Sequence, residues 1–231
     1  MTLNLPRLAV APKAASVHLT PSVEPLQEKI YQDLTRLFIR GDLLPGDEFS
    51  TRALARQFGV SQMPVREAMT RLASSGLFEI RSRRKIIIPS LTQSERAELY
   101  DCRLYLESMA AKNLTLPIER ARIIQLYQPL ERLRRAAMDQ EFSDYLVAEY
   151  DFYHCLYSFG QSRLLLGLIE QLALKSAPYR RLALKKERLR ESAEAEAEIY
   201  DSLTRQSAAV FISRHQNRLT ERLSASLKST D

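Results

Sequence analysis

Residues 51–68 read TRALARQFGVSQMPVREA: a short helical pattern, a glycine, then a second helical pattern that opens Ser-Gln-Met-Pro. Few folds accommodate that order. Leu54 and Phe58 recur at helical spacing in the first stretch, and Val65, Ala68, Met69 and Leu72 do so in the second, which is predicted to run to Ser74. Gly59 supplies the tight turn between them. Ser50 and Ser61 stand at the two N-cap positions. Pro64 falls in the first turn of the second helix, where backbone N–H groups have no helical partner and proline is tolerated. The buried face begins only at Val65. Ser61, Gln62 and Met63 are therefore expected to be presented outward, with Arg66 one turn beyond.

The flanking sequence completes a small domain over 23–90. A helix is predicted over about 25–40, with Leu26, Ile30, Leu34, Leu37 and Phe38 on one face, Gly41 at its end and a Pro45-Gly46 turn after it. LFEIRSRRKIIIP reads as two short strands, about 77–81 and 85–89, around a basic tip at Ser82-Arg83-Arg84, with Pro89 closing the second. Helix, helix, turn, helix, hairpin is a winged helix-turn-helix. Residues 1–22, rich in Ala, Pro, Ser and Val without period, read as a disordered arm.

Charge is concentrated in this domain. Residues 50–90 carry eight Lys and Arg against two acids, whereas 91–231 carry 21 against 20. Such an excess suits a polyanion, although a solvated basic surface has the same composition. A helix entering the major groove places its first residues nearest the bases. There Gln62 suits adenine, Met63 a thymine methyl, and Arg66 guanine or a phosphate. Arg52 is placed to hold the backbone or reach a base, and Arg83 and Arg84 suit a narrow minor groove. Arg56 and Arg71 read as plain surface charges. The partner implied is double-stranded DNA.

From residue 91 to 231 no strand pattern appears. Helical stretches are predicted over 92–114, 118–138, 141–159, 161–184, 186–205 and 207–227. Leu99, Leu106 and Ala110 line one, and Leu164, Leu168, Ile169 and Leu172 another. The acidic ESAEAEAEIY segment reads as a solvated helix face. The fold class is mainly α: an N-terminal winged helix-turn-helix domain and a C-terminal all-helical bundle. No apolar run is long enough to span a membrane, and the first residues lack a secretory signal, so a cytoplasmic location is expected. Cys102 and Cys155 lie apart in apolar helical surroundings and read as buried free thiols. An enzyme is not indicated. There is no Gly-rich phosphate loop and no nucleophile elbow, and His18, His154 and His215 lack evident triad partners.

GDLLPGDEFSTRALARQFGVSQMPVREAMTRLASSGLFEI closely resembles the DNA-binding domain of the GntR family of bacterial transcription regulators. The helical remainder, beginning YDCRLYLESMAAKNL, looks like the FCD effector domain of the FadR subfamily. The resemblance implies a homodimeric, metabolite-responsive regulator, usually a repressor, released from a short palindromic operator by a small organic acid. A ligand-independent, architectural DNA binder is the alternative. The family's DNA-contacting positions match Arg52, Ser61, Gln62, Met63 and Arg66. Two of them depart from its pattern: Gln62 stands where Arg is usual and Met63 where Thr is usual. The wing lacks the usual glycines, and the linker near Ser90–Ser94 is the expected hinge.

Many FCD domains hold a metal through an Asp four residues before the His of a Phe-His pair and through two His on the last two helices. Taking Tyr153-His154 as that pair puts Tyr150 at the Asp position, with Asp151 on a neighbouring face. Glu196 and Arg218 then stand where the two remaining His would be, and His215 falls one turn off. The resemblance thus implies a degraded site with no metal and no other cofactor, because a guanidinium repels a cation. The effector-binding candidates are Arg103 (of Arg103-x-x-x-Glu107), Tyr150, His154, Glu196 and Arg218. Glu196 and Arg218 either form an ion pair or leave Arg218 to bind an anionic metabolite, and Arg103 likewise faces the cavity or closes a salt bridge.

Overall fold

The computed structural model describes residues 26–82 and 85–228. The arm expected over 1–22 and the wing-tip residues Arg83 and Arg84 lie outside the described residues. Helix α1, Leu26–Ile39, is followed by a two-residue strand β1, Glu48–Phe49, then α2, Thr51–Phe58, and α3, Gln62–Ser74. Strands β2, Glu79–Ser82, and β3, Lys85–Ile87, complete an antiparallel sheet ordered β1-β3-β2. Strand β1 was not anticipated. Two residues are too short for an alternating pattern, and Glu48 and Phe49 become a strand only because β3 lies alongside to pair with them.

The turns follow from their residues. Ser50 Oγ accepts from the Ala53 N–H at 3.1 Å, capping α2. Gly59 closes the helix with φ +66°, a conformation that side-chain-bearing residues seldom adopt. Ile30, Leu34, Phe38, Leu54, Val65, Met69, Leu72 and Ile86 form one core, and the Phe78 ring meets Phe38 and Phe49 edge-on at 4.8 and 5.2 Å. Each fully buried side chain of this size contributes on the order of 1.5–3 kcal/mol.

The remainder is helical: α4 Gln93–Lys112, α5 Arg120–Asp139, α6 Phe142–Ser158, α7 Arg163–Ala183, a single 3₁₀ turn Lys186–Arg188, α8 Leu189–Thr204 and α9 Ala208–Lys228. Helix α5 packs on α6 and α8, α4 packs on α7 and α9, and α8 packs on α9. Two sequence readings need correction. Cys102 is exposed, because the inward face of α4 is Leu99, Arg103, Glu107 and Ala110. Leu164 and Leu168 are exposed as well, at 77% and 42%, since α7 buries Ile169, Leu174, Ser176 and Arg180 instead.

Helix α7 also belongs to the N-terminal domain. Leu174 sits in the winged-helix core. Gln171 Nε2 donates to the Ser75 carbonyl at 3.4 Å, and the Arg181 stem lies so close to Gly41 that a Cβ there would come within 2.3 Å of it. The linker after the wing is pinned: the Leu91 N–H donates to Tyr179 Oη at 2.7 Å, and Thr92 and Glu95 form a capping box at the start of α4. The segment expected to be the hinge is therefore tied to α7.

Candidate functional site

Ser61, Gln62, Met63 and Arg66 are all exposed, Met63 at 72%, while Val65 is fully buried beneath them. Gln62 and Arg66, four residues apart, share a face. Ser61 occupies the N-cap position with extended backbone angles, but its hydroxyl makes no cap hydrogen bond. The expected Ser61 side-chain cap is thus absent, and the hydroxyl is left free at the helix start. Arg52 and Arg56 on α2 are exposed too.

The basic residues separate by pairing. Arg71 donates to Glu28 at 2.7 Å and lies 3.7 Å over the Tyr31 ring, and Arg81 pairs with Glu79 at 3.2 Å. Among the described residues no carboxylate pairs with Arg52, Arg56 or Arg66. An exposed helix start with unpaired guanidiniums beside it is chemically an anion-receiving surface.

The second cluster lies inside the helical domain. Arg103 donates through Nε to Glu107 Oε1 at 2.7 Å and through Nη1 to Ser176 Oγ at 2.6 Å. Tyr157 Oη donates to Glu107 Oε2 and also meets His215 Nε2, both at 2.8 Å. Arg180 grips Glu149 through Nε and Nη2 at 3.0 and 2.7 Å. Glu196 accepts from Arg218 Nε at 2.7 Å and from the Tyr153 hydroxyl at 3.1 Å. Arg222 lies over the Tyr153 ring at 4.0 Å, with its Nε 3.4 Å from Glu149 but without hydrogen-bond geometry. Burial alone would raise the Glu149 pKa, but Arg180, Arg222 and Arg218 outweigh it and hold the carboxyl well below the usual carboxylate range. Arg103 and Arg222 likewise outweigh burial at Glu107.

Of the expected effector residues, Arg103, Glu196 and Arg218 join this network. Tyr150 and His154 do not. Helix α6 turns Glu149, Phe152, Tyr153, Leu156 and Tyr157 inward. His154 is half exposed on a different face, hydrogen-bonded to Glu170 of α7 and stacked on Tyr150. Asp151 pairs outward with Arg132 at 2.8 Å. Glu149 and Tyr153, which α6 turns inward, stand one position before the expected Tyr150 and His154. The inward positions are Glu149 and Tyr153, and the phase of burial along α6 was the signal that could have found them.

Burial pushes the His215 pKa down to about 4. A histidine with a depressed folded value contributes stability that is present above its unfolded pKa near 6.5 and lost as pH falls toward the folded one. Between pH 7 and pH 5 wild type should lose about 2 kcal/mol through this residue. His215→Gln should flatten that segment of the stability–pH curve. The measurement is urea unfolding of both proteins at the two pH values. Equal losses in the two would show that His215 is not a buried neutral imidazole.

The model of the gntR family of bacterial regulatory proteins matches residues 26–88, and that of the FCD domain matches residues 98–211. The chain belongs to the GntR family. Proteins of this family are regulators and not enzymes. Similar proteins include the HTH-type transcriptional regulator YdhC of Bacillus subtilis, 29% identical over 149 residues, which are 64% of this chain and 66% of YdhC. The HTH-type transcriptional repressor RspR of Escherichia coli is 27% identical over 149 residues, 64% of this chain and 65% of its own. The matched stretch spans just under two thirds of the length of these relatives. The solved structure of McbR/YncC from E. coli shares the fold of this GntR-family chain, with a TM-score of 0.81 at 24% identity, covering 90% of this chain and 100% of that one.

Among the described residues no group of three or more His, Cys, Asp or Glu side chains is placed to hold a metal ion. Glu149, Tyr153, Glu196 and Arg218 lie together in the interior, and the last places a guanidinium 2.7 Å from Glu196. The carboxylates are already committed to arginines, and a divalent cation would add charge where four arginines already face three glutamates.

Proposed function

We propose that this chain is a DNA-binding transcription regulator, acting as a repressor on a short palindromic operator and released from it by a small anionic metabolite held in the helical domain. The observation that carries this reading is the exposed first turn of α3, with Gln62 and the unpaired Arg66 on one face. As a homodimer it would place two such turns in successive major grooves. Exposed apolar side chains on α4 (Tyr105, Met109) and on α7 (Leu164, Leu168), helices that pack together, support a second copy on that side. No described helix is long and apolar enough to cross a membrane, and a cytoplasmic setting suits a DNA partner.

Signal transfer has a physical candidate in α7. Its Ser176 and Arg180 hold Arg103 and Glu149 in the interior network. Its Gln171, Leu174 and Tyr179 hold the winged helix and the linker. A ligand that re-pairs those arginines would bias the tilt of α7. Only a ligand with different affinity for two placements of the DNA-binding domain can move the equilibrium between them.

The test is fluorescence anisotropy with an operator obtained by selection from random DNA. Arg66→Ala should weaken operator binding about tenfold to hundredfold. Equal affinity of wild type for operator and random duplex would favour an architectural binder instead.

A further inference from the structure

We infer that Arg56, in the last turn of α2, is a phosphate grip that adds to the tightness with which any duplex is held, without choosing its sequence. This deepens the DNA-binding reading above and rests on it.

The described cations of the winged helix fall into two groups. Lys29 and Arg36 lie near the Asp33 carboxylate, Arg40 pairs with Asp42 at 3.0 Å, Arg71 with Glu28 at 2.7 Å and Arg81 with Glu79 at 3.2 Å. Arg52, Arg56 and Arg66 make up the second group. They are exposed, and no described carboxylate pairs with them. All three belong to the two helices of the helix-turn-helix. Arg56 also stands one turn from Arg52 on a short helix that contains no acidic residue. Like charges four residues apart on a helix repel each other. Arg56 does complement the negative end of the α2 dipole, but Arg52, at the positive end, does not. An anion from outside the chain is what this pair lacks.

Position agrees with charge. Gly59, Val60 and Ser61 join α2 to α3, and the Val60 N–H donates back to the Ala55 carbonyl at 3.0 Å. That tight turn holds the last turn of α2 near the exposed start of α3. In this motif the helix before the recognition helix crosses the DNA backbone. Side chains four apart on it have Cβ atoms about 5–6 Å from each other, so Arg52 and Arg56 can reach phosphates of one strand. A phosphate receives a guanidinium fork through two parallel hydrogen bonds. Arg71 is the contrast. It lies about 14 Å further along the α3 axis than Gln62. That end of α3 is the one held by α7 through Ser75, and the Arg71 guanidinium is occupied by Glu28 and the Tyr31 ring. The two arginines read alike in the sequence, and their pairing separates them.

The experiment measures binding of the full chain to its selected operator and to a random duplex, by fluorescence anisotropy over about 50–300 mM salt. Arg56→Gln should weaken both complexes about tenfold at equal salt and leave the ratio between them unchanged. It should also lower the slope of log affinity against log salt by about one, the signature of one lost phosphate contact. Arg56→Lys keeps a point charge, so it should retain the slope and recover most of the affinity. Arg71→Gln should match wild type in affinity and slope. Urea unfolding of each variant reads the fold separately. The inference is overturned by wild-type affinity and slope in Arg56→Gln, or by an Arg71→Gln loss as large, which would make the effect one of general surface charge. It is overturned too by a changed operator-to-random ratio, which would make Arg56 a base reader. A lowered urea midpoint with an unchanged salt slope would assign Arg56 to the α2 dipole instead. A wild type that binds neither duplex contradicts the DNA-binding reading and this residue with it. A wild type that prefers its operator, beside an Arg56→Gln variant indistinguishable from it, contradicts only this residue.

Discussion

Replacing Glu196 by leucine is expected to cost the fold about 3–5 kcal/mol, the largest loss of any single substitution considered, because it strips a buried cation of its counter-ion. Glu196 is fully buried and accepts from both Arg218 and Tyr153. Without it, the carboxylates nearest Arg218 are Glu221 at 3.7 Å and Glu149 at 3.8 Å. Glu149 is already gripped by Arg180. The charge cannot escape by deprotonation, since a guanidinium holds its proton far above neutral pH. The double variant Glu196→Leu/Arg218→Met should recover most of the loss, because a buried ion pair replaced by apolar side chains of similar volume is often neutral or stabilising. Urea unfolding at pH 7 of the four proteins in this cycle measures the coupling. Additive single losses would mean that the two side chains do not depend on one another.

Gln62→Arg should re-specify one base of each operator half-site. On the proposed reading, Gln62 meets adenine through N6 and N7, and arginine in its place would meet guanine O6 and N7. Each good bidentate contact discriminates by about 1–3 kcal/mol, so a swing from A to G at that position sums two such terms, about 2–6 kcal/mol, and reaches about thirtyfold to ten-thousandfold in relative affinity. Parallel selection of binding sites from random duplexes, at fixed salt, reads the change directly. Identical selected sites for the two proteins would remove Gln62 from the base-reading set. Arg66→Ala differs in kind: if Arg66 grips a phosphate, it should weaken all sequences alike and lower the salt slope.

Helix α3 was legible because the local signals converged on it: a left-handed glycine, a first-turn proline, an apolar face starting at Val65 and a serine at the N-cap position, even though that hydroxyl makes no cap bond. The bundle helices were legible for the same reason, and their breaks at Gly160 and Gln140 are breaks in the structure. The interior site was less so. Searching α6 for a literal histidine favoured His154, while the alternation of burial favoured Tyr153, and packing obeys the second rule. Glu196 lies in an acidic run whose other members, Glu191, Glu194 and Glu198, are exposed, so composition spoke for a solvated face. Its place in the turn with Ala193, Ala197 and Ile199 decided otherwise. Arg222 went unnoticed because an arginine among Glu221, Ser224 and Lys228 looks like surface. The signal was its spacing of four from Arg218 and seven from His215, one stripe along α9 with Leu219 and Leu223.

Helix α7 carries one set of grips for the winged helix and another for the interior charges within the span from Gln171 to Arg181. The two sets interleave, so adding or deleting a single residue anywhere in that span would rotate the grips on one side of the change against those on the other by about 100°. The length of that segment is therefore frozen even where its side chains are free to drift, and a lineage adapting this receptor to a new molecule can do so by exchange of residues but not by indels there.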